Sequence, residues 1–95
     1  MTTFKLTLQK TYYEKGFFNV VVDYDRYVRK SEGPVKLRLG LSGEVVEGRI
    51  DRHANMNGTA RILCGVKLRN WFMKNYEPMD IVNVDLSNSD IIGLE

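Results

Sequence analysis

The side chains that carry covalent or metal chemistry are scarce in this chain: there is one histidine, His53, and one cysteine, Cys64. A nucleophilic site needs a base and an orienting group beside Ser, Thr or Cys. His53 stands in the polar run Asp51-Arg52-His53-Ala54-Asn55, whereas Cys64 stands in the apolar run Ile62-Leu63-Cys64-Gly65-Val66. That separation argues against a triad, and Cys64 reads as a buried, inert thiol. Zinc needs more His and Cys ligands than are present, and no group of carboxylates has the spacing of a two-metal nuclease. Arg52-His53-Ala54-Asn55 matches only part of a histidine-based nuclease motif, and without a second histidine it cannot hold the metal such motifs need. The expectation is a non-enzyme, with no catalytic residue, no cofactor and no metal.

What remains is the chemistry of recognition. Lys10, Lys15, Arg49, Arg52 and Arg61 can neutralise phosphates, which supplies affinity but no sequence preference. Specificity needs donor and acceptor patterns that match base edges: Asn55 or Asn57 can pair bidentately with adenine, and Arg52 or Arg61 with guanine. His53 changes charge near neutral pH and suits a phosphate or base contact, or else a solvated loop position. Tyr12 and Tyr13 can offer a hydroxyl to phosphate or a ring to a sugar, although flanking strands should hold one of the two as packing. Thr11 and Thr59 complete the same polar runs. Asn57-Gly58-Thr59 also matches a glycosylation acceptor, to which no weight is given.

Charge supports this reading by its placement. The net charge of +2 is uninformative, but residues 1–74 hold all fourteen Lys and Arg against seven acids, and residues 75–95 hold five acids and no base. Such lopsidedness suits one basic face turned toward a polyanion. With 95 residues, 43% apolar content and ten aromatics, the chain should form one folded domain over 1–95. Neither a signal peptide nor a long apolar run is evident, so the expected location is cytoplasmic, on the nucleoid if the source is bacterial.

These side chains must be positioned by mostly extended elements. Phe4 to Gln9 alternates apolar and polar residues, and Phe17 to Val22 is rich in β-branched and aromatic residues. The two strands with segment 10–15 between them read as a hairpin. Asp23 is a suitable N-cap for a short helix to Lys30, with Tyr24, Tyr27 and Val28 on one face. Val35 to Leu39 and Glu44 to Ile50 alternate again around a turn at Ser42-Gly43, with Gly48 as a bulge or close-approach point. Asp51 to Ala60, with its Asn57-Gly58 step, reads as the tip of a second hairpin closed by Arg61 to Val66. Leu68, Trp71, Phe72, Asn75 and Tyr76 recur at i, i+3, i+4, i+7 and i+8, predicting a helix over 67–76 that buries its aromatic residues. Ile81 to Leu86 and Ile91 to Leu94 are short strands, and the closing Leu94-Glu95 is given no functional weight. So many short strands predict a mainly β fold, a seven-stranded open β-barrel with two short α-helices.

That order resembles the DNA-binding pseudobarrel family, which includes plant B-three-type transcription-factor domains and the recognition domains of restriction endonucleases such as EcoRII and BfiI. Leu68, Phe72 and Asn75 followed by Asp80-Ile81-Val82-Asn83-Val84-Asp85-Leu86 look like the family's second helix and next strand, and Ser42 to Ile50 is similar to its Gly-turn and strand. Met79 departs from the family's Gly before Asp80, and Arg69 stands where a tryptophan is common. The resemblance implies that Lys10–Lys15 and Arg52–Arg61 are two arms gripping the major groove of double-stranded DNA. It implies hairpin tips on the same side of the barrel, and a separate nuclease or regulatory partner. Oligomeric state is not encoded in any of these patterns. Two other readings stand beside it: a barrel that binds single-stranded nucleic acid or RNA by stacking on Tyr12, Tyr13, Phe17 and Phe18, and a protein-interaction module that uses the acidic C-terminal third.

Overall fold

In the computed structural model, which describes residues 2–41 and 43–95, alternation in the sequence becomes alternation in burial. Strands β1 (Thr3–Thr7), β3 (Gly33–Leu39), β4 (Val45–Asp51) and β6 (Ile81–Asp85) each turn every second side chain inward. The result is a row of fully buried residues that includes Leu37, Ile50, Val82 and Val84. The shorter β2 (Phe17–Asn19), β5 (Arg61–Leu63) and β7 (Ile91–Leu94) complete one seven-stranded sheet in the order β1-β6-β7-β3-β4-β5-β2. All neighbours are antiparallel except β3 and β7, which run parallel with Leu37 beside Ile92 and Leu39 beside Leu94. The mixed sheet curls into an open half-barrel, as the mainly β expectation requires. Ser42 of the expected turn lies outside the described residues.

Three short helices accompany the sheet rather than two. Helix α2 (Val66–Asn75) lies where the periodicity placed it, with Leu68 and Phe72 fully buried. Trp71 packs at the margin of the core, edge-on to Tyr76 at 5.3 Å between ring centroids. The expected helix from Asp23 is a 3-10 helix over Val22–Tyr27, with Val21 as its unbonded N-cap. Three residues per turn bring Tyr24 and Tyr27 together, at 6.1 Å between centroids, and Val28 is already extended. Leu94, though the next-to-last residue, is wholly buried, and Glu95 exchanges backbone hydrogen bonds with Asn83.

The first expected hairpin does not form. β1 pairs with β6 and β2 pairs with β5, so the two strands are the opposite edges of the sheet. Residues 10–15 between them are not a loop but helix α1 (Lys10–Lys15). Six residues cannot sustain a helix by propensity, and tertiary contacts hold this one. Gly16 caps it in the left-handed conformation at φ 73°, donating to the Tyr12 carbonyl. Its own carbonyl accepts from the amides of Cys64 and Gly65, and Tyr13 Oη donates to the Tyr76 carbonyl at 3.1 Å. Gly48 is the close-approach point its sequence position suggested: a Cβ there would press on Leu37 and the Leu63 carbonyl.

Candidate nucleic-acid interface

The two polar segments lie at the two ends of β5. Gly16, at the end of α1, is bonded to Cys64 and Gly65 just beyond Leu63, while residues 52–60 enter β5 at Arg61. The resemblance implied two hairpin tips on the same side of the barrel; the first segment is instead a helix, and the two segments meet β5 at opposite ends. They bracket the outer face of β2, β5 and β4, separated by three strand residues, or about 10 Å.

Register places the side chains of that face. Phe17 is opposite Leu63, which is opposite Arg49; Asn19 is opposite Arg61, which is opposite Asp51. The Arg61 guanidinium sits 4.5 Å from the centroid of Phe17, and its Nε donates to Asn19 Oδ1 at 3.0 Å. Arg61 is thus fixed against an aromatic ring and an amide, and it forms no ion pair with Asp51 opposite it. Arg49 is exposed on β4, and Lys10 and Lys15 are exposed on α1. Lys15 and Arg49 line one shallow depression with Pro34, Glu47, Leu63 and Cys64. Among the described residues the only ion pairs are Arg52 with Asp25 and His53 with Glu32. The acid-rich C-terminal stretch forms β6, β7 and their turn, separated from β5 in the sheet by β3 and β4.

The second segment is built differently from the expectation for most of its residues. Arg52 points inward. Its guanidinium donates to both Asp25 oxygens, at 3.1 and 2.8 Å, and to the carbonyls of Gly58, Val28 and Arg29. Asp25 Oδ1 also accepts from the Ala60 amide, so this pair ties both ends of the loop to the 3-10 helix. Arg52 is therefore a strut and leaves no donor for phosphate or guanine.

Asn57 Oδ1 accepts from both the amide and the hydroxyl of Thr59, which uses both lone pairs, and Thr59 itself is buried. Asn55 Nδ2 donates to Asn19 Oδ1 and to the Thr59 carbonyl, using both of its hydrogens. As folded, neither amide has a complete donor–acceptor edge free for adenine.

His53 is exposed, with Nδ1 at 3.0 Å from Glu32 Oε2, and the Arg52 amide donates to the same carboxylate oxygen. The Arg52 amide and His53 together hold the Glu32 carboxyl below its ordinary range, and the Glu32 carboxylate raises the His53 imidazole above its own. Glu32, Asp51 and His53 bring their ligating atoms within 4.8 Å of one another, an arrangement that their mutual hydrogen bonds account for.

On the first segment, Thr11 is exposed, whereas Tyr12 and Tyr13 are both half-buried, Tyr12 edge-on to Phe17 at 5.3 Å. Cys64 is half-exposed rather than fully buried, and desolvation raises its thiol pKa. Asn19, Asp25 and Glu32 escaped sequence reasoning because each meets its partner 20 or more residues away in the chain.

Comparison with known proteins finds no matching family model, no matching curated protein and no matching solved structure. No helix among the described residues is long and apolar enough to cross a membrane.

Proposed function

We propose that this domain binds double-stranded DNA on the outer face of β2, β5 and β4, with Arg49, Arg61, Lys15 and Lys10 as its phosphate contacts. The observation that carries the reading is that Lys15 and Arg49 line one depression and Arg61 lies on the same sheet face, none of the three ion-paired among the described residues, although Glu47 and Asp51 stand on that face too. An unpaired surface cation keeps its full counterion-release contribution, whereas one already bonded to a carboxylate does not. Helix α1 and the 52–60 loop stand at the two ends of β5 on this face. The resemblance to pseudobarrel domains points the same way, and would make the domain a recognition module that works with a separate nuclease or regulatory partner.

Single-strand binding by stacking is less well supported, because the rings it needs are covered. Phe18 is fully buried, Phe17 lies under Arg61 and against Tyr12, and Tyr13 donates to the Tyr76 carbonyl just past the end of α2.

Fluorescence anisotropy with duplex DNA, single strands and RNA at increasing salt tests the proposal. Duplex is expected to bind tightest. Arg49→Ala and Lys15→Ala should each flatten the slope of log K against log salt by about 0.9, without lowering the melting temperature. Absence of duplex binding at low salt, or slopes that neither substitution changes, would overturn it.

A further inference from the structure

The open half-barrel leaves β1 and β2 as sheet edges with no strand beyond them. An edge presents a row of free N–H and C=O groups, and proteins that stay single guard such rows with charges, proline or a bulge. β1 is guarded: the exposed Lys5 stands at its midpoint, so two copies pairing there would set Lys5 against Lys5. β2 is not. From Gly16 to Val22 the chain reads Gly-Phe-Phe-Asn-Val-Val-Val, with no charge and no proline. Such an aromatic and β-branched run is of the kind that pairs with copies of itself.

The ladder fixes which backbone groups are free. The Val20 amide donates to the Ala60 carbonyl at 2.9 Å, so Val20 and, two residues back, Phe18 turn their backbone groups toward β5. Residues between them alternate away in an antiparallel ladder. The N–H and C=O of Phe17 and Asn19 and the N–H of Val21 therefore point off the sheet, while the Val21 carbonyl accepts from Tyr24. Val21 is still extended, at φ −65° and ψ 147°, so the run available for pairing is Phe17 to Val21. At its end Val21 and Val22 are 43% and 67% exposed.

This run is complementary to itself. Laid antiparallel about Asn19, it sets Phe17 opposite Val21 of the second copy, an aromatic ring against a β-branched side chain, and Asn19 opposite Asn19. The flanks carry opposite charge. Lys15 lies four residues before Asn19 and Asp23 four after it, both exposed and neither in an ion pair among the described residues. The same register brings Lys15 of each copy toward Asp23 of the other, twice by symmetry. A foreign strand would have to supply an apolar stretch with both charges at that spacing, whereas a second copy of this chain supplies them by construction.

We infer that β2 is a dimerisation edge, at which two copies of this chain join through Phe17 to Val21 into one continuous sheet. The inference does not rest on the duplex reading.

Sedimentation equilibrium of the full chain tests it, with loading up to about 1 mM because small contacts associate weakly. Wild type is expected as a reversible dimer, and the Asn19 and Val21 amides should exchange more slowly as concentration rises. Val21→Lys sets a second cation beside Phe17 of the other copy, a ring that already carries Arg61, and should raise the dissociation constant at least about tenfold. At dilute loading, where the chain is single, its melting temperature should be that of wild type. Lys15→Glu and Asp23→Lys should each weaken the dimer about tenfold, and the double variant should recover it, as the register about Asn19 requires. A monomer at every loading overturns the inference and leaves the edge to a strand of another protein. A dimer that Val21→Lys does not weaken, or that the double variant does not recover, overturns it as well.

Discussion

Replacing Arg52 by methionine, which keeps most of its length, removes a charge that the fold uses internally. Arg52 and Asp25 are only 13% and 15% exposed, and the guanidinium satisfies one carboxylate and three backbone carbonyls. Without it Asp25 keeps a single bond, from the Ala60 amide. Breaking a buried pair from one side costs about 3–5 kcal/mol, and the residual exposure favours the lower end. A loss of about 3 kcal/mol corresponds to a melting temperature lower by roughly 12–24 °C for a domain of this size. Thermal unfolding followed by circular dichroism measures it. The double variant Arg52→Met with Asp25→Ala should be more stable than the two separate losses added together, because the stranded carboxylate is gone. If Arg52→Met instead melts like wild type while duplex affinity falls, Arg52 is a phosphate or base contact, as its sequence position suggested, and the strut argument is wrong.

The His53 and Glu32 pair makes a pH prediction of definite sign. A raised imidazole contributes stability that is complete below its ordinary value and disappears as pH rises through its folded value. A lowered carboxyl contributes stability that is present above its ordinary value and lost as pH falls through its folded one. The pair is thus intact between the lowered Glu32 and the raised His53. Both groups are exposed, so the observable is the NMR titration of His53, which in Glu32→Gln should move down toward the ordinary histidine value. A wild-type His53 that already titrates there would remove the pair. Gly16→Ala forces a left-handed backbone on a residue with a Cβ and drives that Cβ into the Gly65 carbonyl. A destabilisation of about 2–4 kcal/mol is expected in chemical denaturation, and a change under about 1 kcal/mol would mean that α1 is not anchored there.

The elements most legible in the sequence are those whose own periodicity encodes burial. Val35 to Leu39 and the strand through Val46 and Ile50 alternate in sequence and alternate in the structure, and Leu68 and Phe72 mark the inner side of α2. Helix α1 was illegible because Lys10–Lys15 has no apolar period. Its stability comes from Gly16, Cys64, Gly65 and Tyr76, and the one local hint is a glycine placed immediately after Lys15. The hairpin expected for β1 and β2 failed for a related reason: adjacency in the chain suggests pairing, but Phe4 and Phe18 serve opposite edges of the sheet. In the candidate site, residue type identified Arg49, Arg61 and Lys15 as cations. It could not separate them from Arg52, whose fate is decided by Asp25, 27 positions earlier.

The place of β7 in the sheet has a consequence for how the protein is made. Ile91–Leu94 lies between β6 and β3 and joins the β1-β6 pair to the four strands on its other side. Thr3, near the start of the chain, waits for Asp85 before its strand has a partner. On the ribosome, the growing polypeptide must carry apolar strands without a closed core until this late segment is synthesised, so folding follows elongation rather than accompanying it. A nascent chain cut short before Ile91 would expose two unpaired strand borders, at β6 and at β3, each a template for aggregation.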